Sequence, residues 1–322
     1  MRLLIIKTSS LGDVIHNLPV ISDIVAQMPD AEIDWVVEES FAEIPKMHPR
    51  VRRVIPVCLR RWRRRILNPD SWRDLSRFRH ELKSETYDEI LDTQGLMKSA
   101  WLARQARGPT CGQDRASARE PLAAFFYHRR FSVARGQHAI ARNRDLVAQA
   151  LGYAMPKSPP DYGIQAPETK FSFTVPHKFI LALHATSREA KRWPTEHWAT
   201  LGQVLESRGL KLLLPWGSQG EKWHARTIAK YLENATVLPQ LNLRELAALM
   251  GRAQAIVGVD TGLVHLAAAL DRPTVAIYTD SSPALTGVVA GKAGHVCNLG
   301  DVGHAPETVA VTHALARLGV WA

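Results

Sequence analysis

The feature of this 322-residue sequence that most constrains its fold is a repeated alternation of short apolar runs with helix-like stretches. Such alternation is typical of βαβ units, which assemble into parallel sheets. In the first half it predicts strands at 3–6, 33–38, 54–57 and 89–92, and helices at 13–28, 72–85 and 94–104. The first half is therefore expected to form a Rossmann-like domain.

The alternation stops in a proline-rich stretch and then starts again. Five prolines fall between residues 155 and 176 with little periodicity, which is typical of a linker. The second half is the fuller set, with predicted strands at 179–183, 211–215, 236–238, 255–259 and 274–278, and helices at 195–206, 219–232, 243–252 and 261–270. We predict an α/β protein with two doubly wound domains, 1–154 and 178–322, joined by the linker 155–177 and facing each other across a cleft.

The composition is that of an ordinary globular protein, with 46% hydrophobic and 22% charged residues. The longest apolar runs are too short to cross a bilayer. Cys58, Cys111 and Cys297 have no metal-ligand spacing, so we interpret them as reduced thiols of a cytosolic protein. The short apolar run before Lys7 favours a first strand over a signal peptide.

The net charge of +10 is concentrated in one segment. Between Arg50 and Arg79 there are eleven arginines against two aspartates, and the densest part is Arg60, Arg61, Trp62, Arg63, Arg64 and Arg65. One interpretation is a solvated basic surface. The other is an anion site, because guanidinium groups bind phosphates and carboxylates with two parallel hydrogen bonds. The implied partner is nucleic acid, anionic lipid or a phosphorylated glycan.

A possible catalytic carboxylate follows the first predicted strand, in the segment Thr8-Ser9-Ser10-Leu11-Gly12-Asp13. In a doubly wound fold, this turn lies at the ligand-binding edge of the sheet. Asp13 is either the N-cap of the next helix or a base that takes a proton from an attacking hydroxyl. His16 is the alternative base, although a histidine in this position is more often structural.

Two strand-to-helix junctions in the second half have the residues expected of a phosphate site. One contains Thr186, Ser187 and Lys191, and the other contains Asp260, Thr261, Gly262 and His265. A helix N-terminus has unpaired N–H groups and a partial positive charge, and a lysine there neutralises a departing phosphate. A charged loop and a capping aspartate are the alternatives. Motifs of P-loops, zincins and serine hydrolases are absent from the sequence, as is a D-x-D metal motif.

The motifs at 7–16, 35–39, 60–63, 92–96 and 118–122, with the Lys191 and Asp260 segments, resemble the heptosyltransferase I family of lipopolysaccharide glycosyltransferases in order and spacing. The resemblance implies a GT-B fold. It also implies inverting transfer of L-glycero-D-manno-heptose from ADP-heptose to the inner Kdo sugar of Kdo2-lipid A. No metal or cofactor is expected.

The resemblance also assigns residues. Asp13 would be the general base. Glu221 would contact the ribose, and Leu241 would lie near the adenine, where the family often has methionine. The complete donor set is Thr186, Ser187, Lys191, Glu221, Leu241, Asp260, Thr261, Gly262 and His265, and the acceptor set is Arg60, Arg61, Arg63, Arg64 and Arg119.

The implied partners are ADP-L-glycero-D-manno-heptose, Kdo2-lipid A and the anionic cytoplasmic face of the inner membrane, with no nucleic acid, and the chain is expected to act as a monomer. Three alternatives stay open at this point. A heptosyltransferase II would act on an acceptor that already carries one heptose. A nucleic-acid-binding protein would use the arginine run, and a non-catalytic nucleotide-sugar-binding protein would need no Asp13.

Overall fold

The computed structural model describes residues 1–64, 68–186, 188–292 and 294–321, and it excludes the side chains of Arg63 and Arg64. The chain divides into two compact units, Met1–Gly163 and Ile164–Ala322. The domain bounds expected from the sequence stay a prediction.

The first unit is built on a six-stranded parallel sheet with the order β3-β2-β1-β4-β5-β6. Residues 3–6 of the central strand are completely buried, because helices cover both faces of such a sheet. The strands are β1 Arg2–Ile6, β2 Glu32–Glu38, β3 Val51–Val57, β4 Glu89–Asp92, β5 Thr110–Gln113 and β6 Arg129–Phe131.

In the described part of this unit, seven α-helices accompany the sheet. They are α1 Leu11–Ile15, α2 Leu18–Gln27, α3 Glu43–Lys46, α4 Leu59–Arg64, α5 Pro69–Leu82, α6 Met97–Gln105 and α7 Ala139–Leu151, with 3-10 helices at Glu39–Phe41 and Pro121–Phe126. The single helix expected at 13–28 is in fact two helices, α1 and α2. Pro19 lies in the first turn of α2, where its missing N–H removes no helical hydrogen bond.

The second unit repeats the architecture, with the strand order β12-β11-β10-β7-β8-β9. Its strands are β7 Phe179–Leu183, β8 Lys211–Leu214, β9 Ala235–Val237, β10 Ala255–Val259, β11 Thr274–Tyr278 and β12 Val296–Gly300. Its helices are α8 Thr195–Glu206, α9 Gln219–Ala229, α10 Leu243–Arg252, α11 Gly262–Ala269, α12 Pro283–Thr286 and α13 Thr308–Arg317, with a 3-10 helix at Glu189–Lys191.

The predicted α/β class with two doubly wound sheets is confirmed. The expectation that the second half is the fuller one is wrong, because each unit has a six-stranded sheet. The sequence analysis missed β5 and β6, which are only four and three residues long and too short for a clear pattern. The sequence pattern also did not predict α3, α4, α7, α12, α13 or β12.

Gly258 in β10 allows the close packing that positions the second site. A Cβ atom at this residue would lie 2.7 Å from Leu183 Cβ and 2.5 Å from Val264 Cγ1. Both distances are far below van der Waals contact. The absence of a side chain therefore lets α11 pack directly on β10, beside the end of β7.

A buried ion pair joins α7 to α2 in the first unit. Arg144 donates to both carboxylate oxygens of Asp23, with N–O distances of 2.7 and 3.0 Å. Only 6% of the Arg144 side chain and 8% of the Asp23 side chain are exposed. This bidentate pair fixes α7, which also carries Arg142 and Asn143.

We expect Asp23→Ala to lower the free energy of unfolding by roughly 3–5 kcal/mol, because it leaves the buried Arg144 guanidinium without its anion. Urea denaturation of the full chain would measure the loss. The matched control is Arg73→Ala, which breaks the exposed Arg73–Asp70 pair and should leave the transition unchanged. Equal stability of Asp23→Ala and the wild type would contradict the assignment.

Candidate active site

The first candidate pocket lies where the strand order of the first sheet reverses, between β1 and β4. Ligands of doubly wound folds bind at such a reversal, beyond the carboxyl ends of the strands. Lys7 follows β1, and Thr93 and Gln94 follow β4. The pocket has a volume of about 80 Å³ and is lined by Lys7, Ser9, Asp13, Thr93, Gln94, Gln113, Arg119, Ala139, Arg142 and Asn143.

Hydrogen bonds of Gln94 connect the turns that follow β1 and β4. Its Oε1 accepts from the backbone N and the hydroxyl of Thr8, at 2.7 and 2.8 Å, and its Nε2 donates to the carbonyl of Ser9 at 2.9 Å. Gly95 has φ +66°, and a Cβ there would lie 2.9 Å from Gln113 Oε1. The turn next to the pocket-lining Gln94 therefore favours a glycine at this residue.

Asp13 lies in the first turn of α1 and lines this pocket. The interpretation of Asp13 as an N-cap is wrong, because Ser10 occupies that position. Both the backbone N and the hydroxyl of Ser10 donate to Asp13 Oδ2, at 2.7 and 3.0 Å. These bonds orient the carboxylate beside the pocket.

Three cationic side chains line the same pocket as Asp13: Lys7, Arg119 and Arg142. Lys7 is buried, and its Nζ donates to Thr93 O at 2.8 Å and to Asn143 Oδ1 at 3.3 Å. Burial lowers the pKa of Lys7, and the nearby Asp13 and Asp92 partly offset that effect. Such a pocket suits an anionic group carried next to a reacting hydroxyl.

The sequence analysis missed Lys7, Arg142 and Asn143 as pocket residues. The position of Lys7 directly after the first strand was an available signal. Arg142 and Asn143 gave no comparable signal, because they belong to α7, which the sequence analysis did not identify.

The arginine run is placed elsewhere in the first unit, on α4. Arg60 donates its backbone N–H to Glu38 Oε1 at 3.2 Å, and its guanidinium lies 5.6 Å from the centre of the Phe41 ring. Arg61 pairs with Glu39 at 2.9 Å and with Asp74 at 2.8 Å. Of the predicted acceptor residues that the structure describes, only Arg119 is among the pocket-lining residues. The side chains of Arg63 and Arg64 lie outside the described residues.

The second candidate pocket lies at the equivalent reversal of the other sheet, between β7 and β10. Its volume is about 250 Å³. The structure brings four predicted donor residues together around it: Thr186, Glu221, Leu241 and Thr261. Lining residues that the sequence analysis missed include Pro215, Trp216 and Gly217, which directly follow β8.

Glu221 and Trp216 are held by the chain around this pocket. The backbone N–H of Gly217 donates to Glu221 Oε2 at 2.6 Å, and the indole of Trp216 donates to Leu238 O at 2.6 Å. The Lys222 ammonium lies 4.4 Å from the centre of the Trp216 ring. These contacts orient the Glu221 and Trp216 side chains that line the second pocket.

Lys191 and Asp260 form an ion pair in the second unit, and Ser281 donates a hydrogen bond to the same carboxylate oxygen. The interpretation of Asp260 as an N-cap is wrong, because α11 begins at Gly262 and Thr261 is its N-cap. Burial alone would raise the pKa of Asp260. The hydrogen bonds from Lys191 and Ser281 outweigh burial and hold that pKa below its usual value.

His265 is buried on α11, and its charge interaction also lowers the pKa of Asp260. Lys191, Asp260 and His265 therefore form one electrostatic group at the start of α11. Ser187 lies outside the described residues. The roles of all these residues as donor ligands stay predictions.

A buried histidine pair supports the wall of the second pocket. His184, which lines the pocket, lies with its Nδ1 3.1 Å from Nδ1 of His224 and its Nε2 3.1 Å from Pro215 O. With both rings neutral, His184 donates to Pro215 and accepts from His224. Burial lowers the pKa of His184 to about 3 and also lowers that of His224.

Neither a metal cluster nor a membrane span is found in the parts of the chain that the structure describes. No three histidine, cysteine, aspartate or glutamate side chains there are grouped to hold a metal ion. None of the described helices has the length and apolar character needed to cross a bilayer.

Comparison with known proteins identifies the family. Residues 75–315 match glycosyltransferase family 9 (heptosyltransferase). The chain belongs to this family. It is similar to lipopolysaccharide heptosyltransferase 1 of Pseudomonas aeruginosa, with 48% identity over 291 residues, which cover 89% of this chain and 81% of that protein. The expected resemblance to heptosyltransferase I is therefore confirmed.

A solved structure and a more distant relative place the chain within this family. The E. coli heptosyltransferase WaaC with ADP matches with a TM-score of 0.90 and 40% identity, covering 99% of this chain and 100% of that one. Lipopolysaccharide heptosyltransferase 2 of Salmonella typhimurium is only 26% identical over 311 residues, which cover 91% of this chain and 87% of that protein. Both comparisons favour the first type of heptosyltransferase over the second.

The histidine pair predicts how the second unit responds to pH. The unfolded chain takes up protons near pH 6.5, whereas the folded pair does not. The contribution of the pair to the free energy of unfolding is therefore fully present above about pH 6.5. It decreases as the pH falls toward the folded pKa of His184, about 3. Replacing His184 by Asn should reduce the slope of unfolding free energy by about 1.4 kcal/mol per pH unit in this window. Denaturation between pH 4 and 7 would measure it, and an unchanged slope would contradict the assignment.

Proposed function

We propose that this chain is an inverting glycosyltransferase that transfers L-glycero-D-manno-heptose from ADP-heptose to the inner Kdo of Kdo2-lipid A, in lipopolysaccharide core biosynthesis. The observation that carries the proposal is the ion pair between Lys191 and Asp260, which lies just before the N-terminus of α11. The same unit holds a pocket of about 250 Å³. The sequence similarity to heptosyltransferase 1 and the structural similarity to WaaC with ADP support this function.

The second pocket would hold the nucleoside of the donor. Its volume suits an adenosine, with Glu221 toward the ribose and Leu241 toward the adenine. The diphosphate would extend to Thr186, Ser187, Thr261 and Lys191, with the N–H groups of α11 at Gly262. When the donor binds, the Lys191 ammonium would donate a hydrogen bond to a phosphate oxygen in addition to Asp260. His265 would complete the donor site beside Asp260.

The charge that develops on ADP as it leaves is stabilised by Lys191 and by the N-terminus of α11. We therefore expect turnover without a metal ion or other cofactor.

The first pocket would hold the acceptor sugar. Asp13 takes the proton from the attacking Kdo hydroxyl, the oxygen bonds to the anomeric carbon, and the bond to ADP breaks with its electron pair on the phosphate. Attack opposite the leaving group inverts that carbon. Lys7, Arg119 and Arg142 suit the Kdo carboxylate, which carries its charge close to the reacting hydroxyl.

The arginines of α4 suit more distant phosphates of the same acceptor. Arg60 and Arg61 are exposed, and Arg63 and Arg64 follow them in the sequence. Because Kdo2-lipid A is anchored by acyl chains, we infer that the chain works at the cytoplasmic face of the inner membrane. We also expect it to act as a monomer.

The experiment that tests the function offers ADP-heptose with either Kdo2-lipid A or its singly heptosylated product. We expect the first acceptor to be consumed, with formation of ADP and one new glycosidic bond. Mass spectrometry of the lipid would measure the reaction. Consumption of only the second acceptor would indicate heptosyltransferase II. Tight RNA binding without ADP binding would instead favour a nucleic-acid-binding protein.

We expect Asp13→Asn to lower kcat by roughly 10²–10⁴-fold, because an amide cannot accept the hydroxyl proton. Its affinity for ADP should stay that of the wild type, which calorimetry would measure. Lys191→Ala is the matched contrast, because it should weaken ADP binding. An Asp13→Asn enzyme with unchanged kcat would eliminate the carboxylate as the base.

A further inference from the structure

An exposed apolar face lies on the 3-10 helix Pro121–Phe126 of the first unit. Leu122 is 56% exposed and Phe125 is 63% exposed. In a 3-10 helix, residues three apart lie on the same side, so these two side chains share one face. We name these two side chains, Leu122 and Phe125, the apolar face.

The packing of this segment within the first unit does not use that face. Ala123 and Ala124 are the buried members of the 3-10 helix. Ala123 packs with Ala100 of α6 and with Tyr127 in one small core cluster. The larger apolar side chains, Leu122 and Phe125, therefore point away from the core, which is unusual for residues of this size.

The apolar face is fixed directly beside the first pocket. Arg119 lines the pocket, and the 3-10 helix begins two residues later. Between them, the backbone N–H of Glu120 donates to Gly95 O at 3.0 Å, and its carboxylate accepts from the backbone N–H of Met97 at 2.6 Å. These bonds connect the start of the 3-10 helix to the start of α6 and to Gly95, the neighbour of the pocket-lining Gln94.

The segment of the chain that carries the apolar face is strongly basic. Residues 97–135 contain Lys98 and seven arginines against Asp114 and Glu120, which is eight positive charges against two negative ones. Arg104 is exposed and lies 2.7 Å from Nε2 of His128, just beyond the 3-10 helix. Arg129 and Arg130 are exposed on β6, the edge strand, and Arg129 is ion-paired with Glu89 of β4 at 2.6 Å. This basic segment is separate from the arginine run of α4.

We propose that the apolar face inserts into the headgroup layer of an anionic phospholipid bilayer, with exposed arginines of the same basic segment, such as Arg104 and Arg130, on the lipid phosphates. Large apolar side chains bordered by arginines are what an anionic membrane surface binds. A nucleic acid would not need exposed leucine, and an apolar protein partner would not need this excess of positive charge. The function of this contact rests on the proposed function: it holds the first pocket at the level of a membrane-anchored acceptor sugar.

The test is co-sedimentation of the full chain with vesicles of phosphatidylcholine alone or with added phosphatidylglycerol, in the absence of donor and acceptor. We expect binding to the vesicles with phosphatidylglycerol. Leu122→Ser with Phe125→Ser should weaken it roughly tenfold or more. The matched control is Tyr231→Ser with Val309→Ser, two residues of the second unit that are 60% and 63% exposed. It should bind like the wild type.

Three outcomes would overturn the proposal. One is a wild type that does not bind vesicles containing phosphatidylglycerol. Another is a Leu122→Ser, Phe125→Ser variant that binds as well as the wild type. The third is a wild-type dimer, seen by analytical ultracentrifugation, that the double substitution dissociates, because a second copy would then cover the face. Thermal unfolding of the double variant should match that of the wild type, which would show that weaker vesicle binding is not caused by a loss of folding.

Kinetics separate this proposal from the proposed function. With Kdo2-lipid A in vesicles, the double variant should have a higher KM and an unchanged kcat. With a deacylated, water-soluble acceptor, both constants should match the wild type. If the wild type uses neither acceptor, the proposed function fails, and vesicle binding alone still decides the membrane contact.

Discussion

Both pockets depend on one constraint, which is the reversal of strand order within a parallel sheet. At a reversal, the connections on the two sides leave toward opposite faces, so a crevice opens at the carboxyl ends of two neighbouring strands. The first sheet reverses between β1 and β4, and the second between β7 and β10. The backbone hydrogen bonds that order the strands therefore also determine where the two pockets lie.

The two pockets use charge differently on the same scaffold. In the first, Asp13 lies with Lys7, Arg119 and Arg142, so a carboxylate and three cations line a volume of only about 80 Å³. In the second unit, Lys191 is already paired with Asp260. The carboxylate and cations of the first pocket suit an anionic acceptor whose hydroxyl must lose a proton. The Lys191–Asp260 pair of the second unit suits a diphosphate, which would take over part of the contact that Lys191 makes with the Asp260 carboxylate. The apolar face beside Arg119 is the membrane contact that we propose for the first unit.

Much of the fold could be predicted from the sequence, because long elements have their own periodicity. The bounds of α8 and α10 agree with the predicted 195–206 and 243–252, since each has a clear apolar side and α10 has a complete capping box at Asn242. The strands β5 and β6 gave no such signal. Their stability comes from neighbouring strands rather than from their own residues.

By itself, the sequence determined the class of fold, the family and the types of residue at the strand ends. These depend on the spacing of apolar residues and on short motifs, which can be read from contiguous residues. Only the tertiary structure decided which of those residues meet. Lys7 and Arg142 are far apart in the sequence and line one pocket, whereas Arg60 and Arg61 are held elsewhere by Glu38, Glu39 and Asp74. Ser10 rather than Asp13 caps α1. The reason is physical: sheet order and helix packing are set by contacts between distant segments, which a local pattern does not contain.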